Sequence, residues 1–200
     1  MGKRPGVRRR GRGGMQFRAA ATYKLKPAKY PSFSLDEERR GDIIDLVHES
    51  GRDVPLAKVR FEDGSVSFIP APLGTKVGQR MNFGLNSEII DGNVISIQNI
   101  PDGTIVCNVE QQFGDGGALM KSAGADATVF AHKDDGVILK LASGKFKKLN
   151  PKNRAMIGTL AGGGVEDRPL MRAGVKWMRY KSKGHKYPIV RGVAQAAYVH

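Results

Sequence analysis

Ala57-Lys58-Val59-Arg60-Phe61-Glu62-Asp63-Gly64-Ser65-Val66-Ser67-Phe68 is the stretch on which the fold turns. Ala57, Val59 and Phe61 alternate with Lys58, Arg60 and Glu62, and Val66 and Phe68 alternate with Ser65 and Ser67. A strand sends successive side chains to opposite faces, so this period of two describes two half-buried strands. Asp63-Gly64 between them supplies the tight turn. The pattern predicts a hairpin.

The same grammar continues toward the C-terminus. Residues 94–97 (VISI) and 104–109 (TIVCNV) flank Pro101-Asp102-Gly103, and residues 127–132 and 137–142 flank Asp134-Asp135-Gly136. Ser143-Gly144 then turns the chain into Lys145–Leu149. Strands this short and evenly spaced predict small antiparallel barrels. On the N-terminal side, Ile43, Ile44, Leu46 and Val47 fit a helical face about as well as a strand. Glycine and polar residues interrupt the pattern over Asn82–Gly92. That boundary leaves two units of roughly 50–70 residues, each marginal alone by surface-to-volume scaling.

Charge divides the chain differently. Residues 1–35 hold 10 Lys/Arg and no carboxylate, residues 36–150 hold 13 basic and 17 acidic side chains, and residues 151–200 hold 10 basic and 2 acidic. The protein is a mildly acidic body between two cationic arms. Such arms suit a polyanion, because each Lys or Arg placed on a phosphate releases condensed counterions; the alternative is a solvated charge run. The segment GKRPGVRRRGRGG at 2–14 cannot bury enough apolar surface to offset the entropy of ordering, and is expected to be disordered when free. Met15, Phe17, Tyr23, Tyr30 and Phe33 follow, scattered among bases. These residues suit either stacking on nucleobases or anchoring of the arm on its own body.

One helix is expected after Gly162-Gly163-Gly164, with Asp167 as cap and Pro169 in the first turn. Arg168, Arg172, Lys176 and Arg179 would share one face, opposite Leu170, Met171, Val175 and Met178. The basic stripe fits phosphates, anionic lipid or water.

Catalytic patterns are thin. The single Cys107 has no disulfide partner within the chain and reads as a small buried hydrophobe in a reducing compartment. His48, His132, His185 and His200 lie far apart in sequence, without metal-ligand spacing. His48 and His132 are expected to be packed beside strands. The glycines at 114–117 and 162–164 lack the Walker spacing and read as turns. No run reaches the roughly 20 apolar residues that span a bilayer, and the N-terminus has no secretory core. A cytosolic non-enzyme, without cofactor or metal, is the economical reading.

Several segments together resemble a known family, the universal second protein of the large ribosomal subunit in its archaeal form. The opening GKRPGVRRRGRGG is similar to its N-terminus, and Gly51-Arg52-Asp53-Val54-Pro55-Leu56-Ala57 to its GR-x-x-PLA turn and strand. Residues 98–111 (QNIPDGTIVCNVEQ) resemble its N-I-P-x-G-T-x-V-x-N-V-E segment. Gly116-Gly117 and Lys121-Ser122-Ala123-Gly124 resemble its G-G and R-S-A-G elements, with Lys for Arg. Val190-Arg191-Gly192-Val193-Ala194 resembles the V-R-G-x-A start of its C-terminal loop. The family pattern then continues M-N-x-x-x-H-P-H-G-G-G, whereas Gln195 and Ala196 stand here for Met and Asn and the sequence ends at His200. His200 falls at the family's first loop His.

The resemblance implies a mainly β protein, with a basic arm at 1–35, an OB-fold barrel at 36–90, an SH3-like barrel at 91–165 and a basic helix and arm at 166–200. It favours strand for Ile43–His48. It implies a structural constituent of the large subunit in the cytoplasmic ribosome. Its implied partners are large-subunit rRNA, neighbouring ribosomal proteins and the small subunit, with no membrane or small-molecule substrate. Support for subunit association and the peptidyl-transferase region is implied as well. Contacts to rRNA are expected from Lys3, Arg4, Arg8, Arg9, Arg10, Arg12, Arg18 and Lys24 in the first arm. Lys121 and Ser122 are expected to contact rRNA from the Gly-rich loop, together with Arg154. The second arm would add Arg168, Arg172, Lys176, Arg179, Lys181, Lys183, His185, Lys186, Arg191 and His200. Trp177 there would either stack on a base or pack on the barrel.

Overall fold

The computed structural model describes residues 11–19, 21, 24–32, 37–85, 87–133 and 135–189. The protein is mainly β. Its strands are β1 (Arg39–Val47), β2 (Leu56–Phe61), β3 (Val66–Pro70), β4 (Arg80–Phe83), β5 (Val94–Ser96), β6 (Ile105–Cys107), β7 (Ala127–Lys133), β8 (Gly136–Leu141), β9 (Phe146–Leu149) and β10 (Arg154–Ile157). They join in the order β3-β2-β1-β4-β5-β10-β6-β7-β8-β9. The one α-helix among the described residues is α1 (Ala173–Ser182).

The hairpin at Asp63-Gly64 forms as its alternation requires, with Leu56 opposite Pro70 and Arg60 opposite Val66. Gly64 takes the left-handed φ of 79° that the turn needs. The Asp63 carboxylate accepts from the Ser65 hydroxyl at 2.6 Å and the Ser65 N–H at 2.8 Å. Those two bonds hold its carboxyl below the usual carboxylate range. The β7–β8 and β8–β9 hairpins form around Asp135-Gly136 and Ser143-Gly144. Ile43–Val47 is strand, the second half of β1.

Pairing departs from the expected pattern at β5 and β6. These strands, on either side of Pro101-Asp102-Gly103, do not pair with each other, because β10 lies between them. β4 meets β5 in parallel at Phe83 and Val94, so the pairing is not purely antiparallel. The reason lies in burial. Two apolar clusters make up the core, and β5, β6 and β10 serve both. Val94, Cys107 and Met156 face the cluster built on Ile43, Val59, Phe61, Ile69 and Phe83. Ile95, Val106, Ala155 and Ile157 face the cluster built on Ile97, Val109, Val129 and Leu139. Strands buried on both faces read as continuous apolar runs, without the polar alternation that marks a hairpin with one wet face.

The chain divides into two units. One comprises Leu25–Glu49 and Asp53–Asp167 and carries every strand among the described residues; the other is drawn from Met1–Lys24, Ser50–Arg52 and Arg168–His200 and carries α1.

Cys107 is fully buried, as its apolar setting implied. Burial first, then the charges of Asp126 and Asp91, push its thiol up to about 12. In the unfolded chain a thiol titrates near about 8.5. Between these values the folded state keeps a proton that the unfolded state releases, so stability falls as pH rises through this window. The urea midpoint is expected to drop from about pH 8.5 upward, by at most about 1.4 kcal/mol per pH unit for this group. Cys107→Ala should have a shallower decline over the same range; an identical slope would remove the thiol as the cause.

Candidate nucleic-acid interface

The unit that carries α1 has an extreme composition. Its segments hold eight Lys/Arg in Met1–Lys24, one in Ser50–Arg52 and eight in Arg168–His200, with no Asp or Glu. The unit built on the strands holds the other 16 Lys/Arg and all 19 carboxylates. The charge boundary thus follows the structural division and is sharper than the sequence segments alone implied.

Within the basic unit the two arms and the short loop converge. A 3₁₀ turn spans Met15–Phe17, and the Arg18 Nε donates to Gly13 O at 2.7 Å. The Lys24 Nζ donates to Ser50 O at 2.6 Å. Gly51 and Gly184, at φ 85° and 71°, permit the closest approaches. A Cβ on Gly51 would stand 2.6 Å from Ser182 O, and one on Gly184 would stand 2.7 Å from Ala19 N. The glycine of the GR-x-x-PLA element therefore holds a loop against the C-terminal helix.

α1 begins later than its sequence signals suggest. Asp167 does not cap it, since its N–H closes a turn onto Gly164 O at 3.2 Å. Arg172 is the extended N-cap residue, with φ −131° and ψ 137°, and makes no side-chain cap. Arg168 and Pro169 lie before the helix, as do Leu170 and Met171. Arg172, Lys176 and Arg179 remain at helical spacing. Arg179 and Lys181 sit in the last turn, where cations suit the negative end of the helix dipole. The expected apolar face is absent: no α1 residue is buried, and Val175 and Met178 are exposed.

Aromatic rings line this helix instead. Tyr180 meets His185 at 5.8 Å and Tyr187 at 5.5 Å between centroids. The Lys176 ammonium lies 5.1 Å from the Tyr187 centroid, and that of Lys181 lies 4.8 Å over Trp177. Trp177 is 44% exposed. Arg12, Arg18, Lys24, Arg168, Arg172, Lys181, His185 and Lys186 are exposed, while Lys176, Arg179 and Lys183 are half-buried. Lys3, Arg4, Arg8, Arg9, Arg10, Arg191 and His200 lie outside the described residues.

Two expected RNA contacts in the β unit have other partners. The Lys121 Nζ donates to Ala28 O at 2.6 Å and Gly117 O at 2.9 Å, clasping residue 28 to the Gly-rich loop; its neighbour Ser122 is exposed. Arg154, expected on rRNA, is instead only 3% exposed. Its Nη2 and Nε donate to Glu110 Oε1 at 2.6 and 3.1 Å, and its Nη1 donates to Pro31 O at 3.2 Å. A guanidinium buried and bonded in this way is a structural centre with no face for a phosphate.

The Gly-rich loop is a turn, as expected. The Asp115 carboxylate accepts from the N–H groups of Gln111, Gln112 and Gly117. His48 and His132 are exposed rather than packed. His132 Nδ1 meets Asp102 Oδ1 at 2.6 Å, and its Nε2 lies 3.3 Å from Ile97 O. Among the described residues no three His, Cys, Asp or Glu side chains gather as a metal site. No described helix is long and apolar enough to cross a membrane.

One feature escaped the charge map. Residues 136–150 contain Lys140, Lys145, Lys147 and Lys148 and no carboxylate, but averaging over the acidic body hid them.

Comparison with known proteins agrees with the motifs. The family described as Ribosomal Proteins L2, C-terminal domain, matches residues 90–200. The large ribosomal subunit protein uL2 of Cenarchaeum symbiosum is 74% identical over 200 residues, spanning 100% of this chain and 82% of the relative. That of Nitrosopumilus maritimus is 72% identical over 201 residues, with the same shares. That of Thermofilum pendens is 43% identical over 204 residues, again with 100% and 82% covered. With more than half the chain matched by the family and close relatives along its whole length, this chain belongs to the uL2 family of large ribosomal subunit proteins.

Proposed function

We propose that the protein binds large-subunit rRNA directly, using its acid-free unit to neutralise phosphates inside the subunit. The observation that carries this reading is the segregation of seventeen Lys and Arg, without one carboxylate, into a single structural unit. Such a unit has no internal counter-charge and is matched by a polyanion. The exposed cations Arg12, Arg18, Lys24, Arg168, Arg172 and Lys181 provide the phosphate contacts, Trp177 a stacking face, and Ser122 a contact from the β unit. Lys3, Arg4, Arg8, Arg9, Arg10, Arg191 and His200 extend the same footprint.

On this reading the β unit holds an OB-fold barrel over 36–90 and an SH3-like barrel over 91–165, each built on one of the two apolar clusters. It docks on folded rRNA and neighbouring ribosomal proteins, and supports subunit association and the peptidyl-transferase region. The protein is a structural component of the ribosome and not an enzyme.

Salt dependence tests the proposal. Log affinity for large-subunit rRNA should fall linearly with log salt, by about 0.7–0.9 per phosphate contact. Substituting Arg168, Arg172, Lys176 and Arg179 by Gln should lower that slope by up to about 3–4 while the strands remain folded. An unchanged slope would place these four side chains in solvent.

A further inference from the structure

Phe130 on β7 and Phe146 on β9 are 55% and 57% exposed, an apolar patch on the strands. They touch each other, with centroids 4.9 Å apart and planes at 62°. The bulge between Val129 and Ala131 interrupts the β7–β8 register at Phe130. Such a bulge re-aims a side chain. Lys140 on β8 lies directly opposite Phe146, so a cation stands beside the rings. Lys148, two residues beyond Phe146 on β9, shares its face and also pairs with Asp135. Lys140 and Lys148 therefore place two cations on the face of Phe146.

We infer that the Phe130–Phe146 corner is a nucleobase platform. It receives an unpaired base of single-stranded RNA on its rings and the adjoining phosphates on Lys140 and Lys148. Rings that meet at an open angle offer a base one face to stack on and an edge to abut. Every base has a π-face, so the platform is tolerant of sequence. The surrounding lysines favour RNA over an apolar protein surface, since an exposed cationic rim attracts phosphate and opposes burial under a protein. This inference deepens the rRNA-binding reading and rests on it, but it names a second surface, on the β unit, that the basic arms do not include.

The test uses the full chain labelled with 4-fluorophenylalanine and a single-stranded adenylate 12-mer as probe, with large-subunit rRNA bound in parallel. Phe130→Leu and Phe146→Leu assign the two ring signals and keep an apolar side chain at each position. On adding the 12-mer, these two fluorine resonances should shift while those of buried Phe61 and Phe83 stay put. The double Leu variant should bind the 12-mer about 5- to 150-fold more weakly, with its salt slope unchanged. Lys140→Gln with Lys148→Gln should instead reduce the slope by about 1.4. Thermal unfolding of each variant separates lost stacking from lost structure. Unshifted ring signals, or wild-type affinity in a folded double Leu variant, would overturn the platform. So would a variant that binds RNA normally but fails to retain a neighbouring protein in reconstituted subunits, since the face would then be a protein contact. Failure of the wild-type chain to bind rRNA at all would overturn the broader reading.

Discussion

Glu110→Ala is expected to destabilise the protein by about 3–5 kcal/mol, a large share of the roughly 5–15 kcal/mol that a folded domain has. Glu110 is fully buried, and its carboxylate organises four donors. Oε1 accepts from Arg154 Nη2, Arg154 Nε and the Gly116 N–H, and Oε2 accepts from the Arg154 N–H at 3.0 Å. Removing it strands a guanidinium that is 3% exposed and leaves two backbone N–H groups without their acceptor. Tyr30 and Phe113, each 5.6 Å from the Arg154 Cζ, do not replace a carboxylate. Removing both charges together, in Glu110→Gln with Arg154→Met, should be less damaging than the single alanine, because no isolated ion is then left inside. Urea unfolding followed by circular dichroism measures both. A Glu110→Ala variant within about 1 kcal/mol of wild type would mean that water reaches Arg154 and that the pair is not a structural centre.

This centre shows where sequence reasoning stops. Ala57–Phe68 announced its hairpin through alternation and its turn through Asp63-Gly64, while the register is seen only in the structure, where Val66, Ser67 and Phe68 are all half-buried. β5 and β6 were visible as apolar runs, but their partners were not, since two-sided burial erases the polar phase that orients a strand; the short β10 drew no reading of its own. Arg154 was grouped with the basic C-terminal segment because composition is counted along the chain. Its carboxylate lies 44 residues away, and only the β5-β10-β6 arrangement brings them together. The one local hint was Glu110 itself, a carboxylate at the end of the apolar run Ile105–Val109. α1 was found but placed too early, because Asp167 and Pro169 have the right identities for a helix start while the chain makes turns there instead. The cationic arms were legible in full as charge. Their convergence in one unit was not, because it depends on Gly51 and Gly184 admitting backbone at distances no local pattern encodes.

The second large effect concerns residues 25–32, which the charge map assigned to the N-terminal arm. Their backbone belongs to the β unit. Lys29 N donates to Phe68 O and Tyr30 N to Gly116 O, each at 3.1 Å, and Ala28 forms a parallel bridge with Phe68. The Tyr30 ring is buried against Phe83, with 6.4 Å between centroids, and its hydroxyl donates to Asn108 O at 2.6 Å. Burial pushes the Tyr30 phenol well above its ordinary range, as a hydroxyl held neutral in the core should be. Lys121 and Arg154 each donate to a carbonyl of this segment, so it is tied down by its own backbone, by its ring and by two cations. Tyr30→Ala should destabilise the β unit by about 3–5 kcal/mol through the cavity and the lost bond. Two deletions separate this strap from the rest of the arm. Removing residues 1–24 should leave unfolding of the strands nearly unchanged, because the β unit begins at Leu25. Removing residues 1–32 should lower stability at least as much as Tyr30→Ala. It should also loosen Arg154, whose Nη1 loses the Pro31 carbonyl. Equal stability of the two deletions would show that the core closes without Tyr30 and that the strap follows the fold without supporting it.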